Sequence, residues 1–77
     1  MKLNQELFEE LNVLLQFDLS NTQQGIKIHQ DAGANVSSAA ERLFNKGLID
    51  QQDGGYLTAI GRTTAEHAQA LSSLLKD

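Results

Sequence analysis

Seventy-seven residues, 40% hydrophobic and 21% charged, describe one ordinary small globular domain over residues 1–77 and leave no room for a second. The absence of cysteine removes disulfides, thiol catalysis and thiolate metal sites, and a net charge of −4 works against the phosphate attraction on which most DNA affinity rests. No apolar run approaches the roughly 20 residues that span a bilayer, and Glu6, Glu9 and Glu10 stand where a secretory signal needs an apolar stretch, so a soluble, cytoplasmic protein without membrane partners is expected.

Asn4 caps a first predicted helix running to about Phe17, on which Leu7, Phe8, Leu11, Leu14 and Leu15 recur at helical spacing as the core face, opposite Glu9 and Asn12. Val13 and Phe17 lie one turn apart on another flank, where they meet either the rest of the domain or a partner. Residues 22–30, TQQGIKIHQ, have two readings. Ser20, Asn21 and Thr22 offer N-caps for a short second helix, whereas the alternation of Ile26 and Ile28 with Lys27 and His29 equally suits a short strand. Gly25 costs a helix about 1 kcal/mol relative to alanine. The helix is the expectation adopted. The stretch DAGAN then reads as a tight turn, with Asn35 available to cap the next helix.

A third predicted helix, about 36–46, carries Val36, Ala39, Ala40, Leu43 and Phe44 as one apolar stripe and stops where Gly47 admits a left-handed backbone. Leu48 and Ile49 open a strand, QQDGG turns the chain, and Tyr56 and Leu57 return, which makes residues 48 to 57 a predicted hairpin. Thr58 caps a last helix. Ile60, His67, Leu71 and Leu74 share its apolar face, with Leu75 beside it and the imidazole expected partly buried, while Arg62, Glu66 and Gln69 lie opposite.

This order of elements is the plan of a winged helix-turn-helix: mainly α, four helices plus a two-stranded wing. Leu43, Lys46-Gly47-Leu48-Ile49, Gly55-Tyr56-Leu57-Thr58 and Gly61-Arg62 add a resemblance to bacterial winged-helix regulators such as the multiple-antibiotic-resistance regulator family. It covers residues 43 to 62 well and 22 to 42 loosely. The whole chain is also similar to a group of short, uncharacterised bacterial winged-helix-like proteins. The resemblance implies a recognition helix at about 36–46 followed by a wing. Family wings commonly carry an arginine for the minor groove, whereas Asp50-Gln51-Gln52-Asp53-Gly54-Gly55 is short and acidic.

These residues support two functional expectations. In the first, the chain is a transcription-regulator-like DNA-binding protein whose partner is double-stranded DNA. Arg42 and Asn45 read guanine and adenine, and Lys27, Ser37, Ser38 and Lys46 complete the contacts. The alternative is a protein-interaction or dimerisation module without nucleic-acid binding, motivated by the acidic wing and the negative net charge. Val13, Phe17, Leu71, Leu74 and Leu75 exceed what one thin core needs and are the candidate homodimer interface. No cofactor is expected. His29 and His67 are the only histidines, no local spacing gathers zinc ligands, and no serine or threonine has a reason to lie beside a histidine and a carboxylate together, so an enzyme is not expected.

Overall fold

A computed structural model describes residues 2–21 and 23–76. Helix α1 (Gln5–Leu14) begins at the predicted cap, where the Asn4 side chain accepts the Leu7 amide at 2.9 Å. The chain continues through strand β1 (Ile26–Lys27), a 3-10 turn (Gln30–Ala32), helix α2 (Ala34–Asn45), strands β2 (Ile49–Gln51) and β3 (Gly54–Leu57), and helix α3 (Ala59–Leu75). The three strands form one antiparallel sheet in the order β1-β3-β2, with Ile26 opposite Gly55 and Ile49 opposite Leu57.

The expected plan of four helices with a two-stranded wing is therefore corrected to three helices with a three-stranded sheet. The difference lies in the predicted second helix over 22–30, whose Thr22 lies outside the described residues. Here the strand reading prevails. Ile28 is buried, its amide donates to the Asp53 carbonyl at 2.7 Å, and Lys27 pairs with Asp53 across the strands. Gly25 is what allows the approach, since a Cβ at that position would overlap the Gly55 carbonyl oxygen. A helix here would have left β3 with a bare edge and Ile28 without a core.

Helix α2 ends as its sequence suggests. With φ at 79°, Gly47 donates its amide to the Phe44 carbonyl, and the Leu48 amide donates to Leu43, so the last turn's acceptors are satisfied by a left-handed reversal. Its start differs from expectation. Gly33 is the residue before the helix and Asn35 lies within the first turn, so no side chain caps it.

The core gathers Val13, Leu14 and Phe17 with Ile28, Ala39, Ala40, Leu43, Ile49, Ala65 and Ala68. Both terminal helices are rotated relative to the sequence reading. In α1 the inward residues are Glu10, Val13 and Leu14, while Phe8 and Leu15 are exposed. In α3 the inward residues are Gly61, Ala65 and Ala68, while Ile60, His67, Leu71, Leu74 and Leu75 face water. The cause is visible at Gly61, which sits so close to β2's approach that a Cβ would run into the Leu48 carbonyl. Only the small-residue face of α3 fits at that distance. Arg62 and Gln69, predicted to face outward, instead reach the segment after α1. Arg62 Nη2 donates to the Leu19 carbonyl, and Gln69 Nε2 donates to the Phe17 carbonyl at 2.8 Å. Among the described residues, no helix is long and apolar enough to cross a membrane.

Candidate functional site

Helix α1 leaves Phe8 and its C-terminal neighbour Leu15 on the outside, and α3, with its small residues turned inward, leaves Ile60, Leu71, Leu74 and Leu75 there. Leu3 precedes the α1 cap and Phe8 stands four residues beyond that cap, the two positions that brace a helix start. Leu15 lies two turns beyond Phe8, and Leu71 and Leu75 lie one turn apart on α3. These residues meet along a groove of about 200 Å³ between the two helices, with Leu11 and Ala68 also lining it. Phe8 is 52% exposed, Leu71 49% and Leu75 74%. Among the described residues, the polar part of the lining is Asn12 and Ser72, both neutral. Five large apolar groups on one continuous strip exceed the scattered leucines that any small surface carries.

The predicted interface residues divide between two places. Leu71 and Leu75 line the groove, and Leu74 lies beside it, 84% exposed. Val13 and Phe17 are inside the core and do not reach that surface. Leu3, Phe8 and Leu15 belong to the strip and are absent from the sequence-predicted interface. One signal was available for two of them: Leu3 directly before the Asn4 cap and Phe8 four residues beyond it hold the two positions that pair across a helix start.

The predicted DNA contacts are placed quite differently from a free cationic surface. Arg42 lies across α1: its Nε donates to Glu10 Oε2 at 2.9 Å, its Nη2 donates to the Glu6 carbonyl at 3.2 Å, and the Glu6 and Glu9 carboxylates each stand 3.7 Å away. Lys46 pairs with the second oxygen of Glu10. Burial pushes the Glu10 carboxyl up, but the hydrogen bonds and charges of Lys46 and Arg42 more than offset this and hold it below the usual carboxylate range. The hydrogen bond to Glu10 in turn raises Arg42. The outward side of α2 is left with Ser38, Glu41 and Asn45, and Ser37 is half-buried. Lys27 is exposed on the sheet and forms a 3.5 Å ion pair with Asp53.

The acidic residues of the β2–β3 hairpin also have structural partners. Asp50 Oδ1 accepts the Tyr56 amide at 2.8 Å where the register of β2 and β3 shifts, and Asp53 holds Lys27. Among the described residues, no three acidic or imidazole side chains converge as metal ligands.

The sequence model of a family of unknown function matches residues 1–76. The chain belongs to that family, DUF5669. No curated protein matches it, and no solved structure does. In this DUF5669 chain, a neutral apolar strip and a set of internally neutralised cations are two surface features that differ from an ordinary solvated exterior.

Proposed function

We propose that the chain is a non-enzymatic protein-interaction module that docks a partner on the apolar strip formed by α1 and α3. The observation that carries this reading is the groove itself: among the described residues, seven of the nine that line it are apolar, and the other two carry no charge. Clefts of that composition are favourable sites for an apolar anchor and unfavourable ones for a phosphate backbone. The expectation of a DNA-reading α2 has less behind it. Its two strongest cations are engaged by three α1 carboxylates, and releasing them to phosphate requires giving up a part-buried ion-pair network. The face that remains offers Ser38, Glu41 and Asn45, with no positive charge to draw in a duplex.

A photo-crosslinking side chain placed at Leu71 in cells, together with a duplex-DNA titration of the purified chain, tests the proposal. Discrete protein adducts at position 71 and no measurable duplex binding at low salt are the expected results. Duplex binding that falls steeply with salt and weakens in Ser38→Glu, with no protein adduct at position 71, overturns it.

A further inference from the structure

We infer that the occupant of the strip is a second copy of this chain, related to the first by a two-fold axis; the inference rests on the proposal of an interaction module. The first ground is charge. A surface that meets itself brings every charge against its own image, and this chain carries ten acidic residues against six basic ones. Among the described residues, none of them lines the groove. The carboxylates of α1 that stand nearest in sequence, Glu6, Glu9 and Glu10, are directed at Arg42 on α2. A partner selected by charge complementarity would need charged groups in the groove, whose polar lining is Asn12 and Ser72, which pair equally well with themselves; in the adjoining hollow that shares Leu3 and Leu11, Glu10 and Lys46 pair with one another.

The second ground is shape and size. The same face holds a cleft and the side chains to fill one: Leu71 and Leu75 form part of the groove wall, and Leu74 and Leu75 stand 84% and 74% exposed at the end of α3. Two copies packed antiparallel across α3 about the two-fold axis set the terminal leucines of each in the cleft of the other, a closed arrangement that does not propagate into fibres. A stable interface takes about 800 Å² from each partner, about 15% of the 5369 Å² surface of this chain. Two adjacent helices about 10 Å in diameter, one about 15 Å and the other about 25 Å long, present a face at the smaller, reversible end of that class. A dimer in exchange with monomer is the expected state.

Sedimentation equilibrium of the full chain from about 1 μM to about 1 mM reads this directly. The expected result is a mass rising from 8.4 kDa towards twice that value with concentration. Phe8→Glu and Leu71→Glu should each raise the dimer Kd by about 30-fold or more, whereas Glu66→Gln, exposed on another side of α3, should leave it unchanged. Both apolar positions are half exposed, so circular dichroism should show the same helix content in variants and wild type. A wild-type chain that stays monomeric throughout, or a dimer indifferent to both substitutions, overturns the inference. If the chain is monomeric but position 71 crosslinks to a different protein, the second copy is excluded while the interaction reading stands. A monomer with no protein adduct removes both.

Discussion

A single hydroxyl ties the end of α2 to the start of α3. Thr58 Oγ1 accepts the Gly61 amide at 3.0 Å and donates to the Gly47 carbonyl at 2.6 Å, so it caps one helix while satisfying an acceptor just past the other. Thr58→Ala removes both bonds and is expected to cost about 1–2 kcal/mol. Thr58→Ser should restore most of that, and urea unfolding of the two variants checks it. The capping half was legible, because threonine directly before an apolar-periodic run is a start signal. The second bond was not, because Gly47 is eleven residues away and reaches Thr58 only once β2 and β3 have paired. Arg42 shows the same limit more sharply. Its type and its place on an outward-reading helix face suggested guanine recognition, while the glutamates that hold it lie 32 to 36 residues earlier in the chain.

At the scale of elements, the seat of α3 decides the most. Gly61 is buried against the Leu48 carbonyl, Ala65 and Ala68 are buried further along the same helix, and at Gly61 the helix lies closer to the Leu48 backbone than any larger side chain permits. Gly61→Ala is a favourable change by helix propensity alone, worth about 1 kcal/mol. Here it is expected to destabilise by about 3 kcal/mol or more, because the new methyl meets backbone that cannot move aside without shifting β2. Thermal unfolding gives the sign, and a gain in stability would show that α3 does not lie this close to the Leu48 carbonyl. The existence of α1, α2 and α3 could be read from periodicity, cap and stop residues. Their rotation could not. Apolar residues surround much of α1 and the turn after it, so Phe8 and Leu15 of the predicted core face gave way to Val13 and Phe17, while Leu14 is buried as predicted and Leu11 packs half-buried against the core.

For the molecule as a whole, the contact between α1 and α2 is both apolar and ionic, and the ionic part makes stability depend on pH. Glu10 is nearly buried and its pKa lies below the ordinary 4.5, so the folded state binds its proton more weakly than the unfolded chain does. The stabilisation is therefore fully present above about pH 4.5 and is lost as pH falls through the lowered value. Asp18, lowered by hydrogen bonds from the Ser20 hydroxyl and amide, acts in the same direction. Melting temperature should fall on acidification through this range, and Glu10→Gln should flatten the profile while costing about 1–3 kcal/mol at neutral pH. An unchanged acid profile in the variant would remove Glu10 from the account. The small core leaves little reserve against such losses, since a chain of this size buries only about 60% of its unfolded surface.

The residues by themselves placed three helices, the cap at Asn4, the stop at Gly47, the cap at Thr58 and a hairpin after α2, because caps, glycine stops and hydrophobic period act over a few neighbours. Only the tertiary structure decided that residues 26 and 27 join a sheet, that Phe8, Leu15 and the leucines at the end of α3 face outward, and that Arg42 and Lys46 answer to Glu10. Each of those outcomes depends on how closely two backbones distant in sequence approach, and on which carboxylate reaches a cation first. Neither quantity is encoded in local spacing.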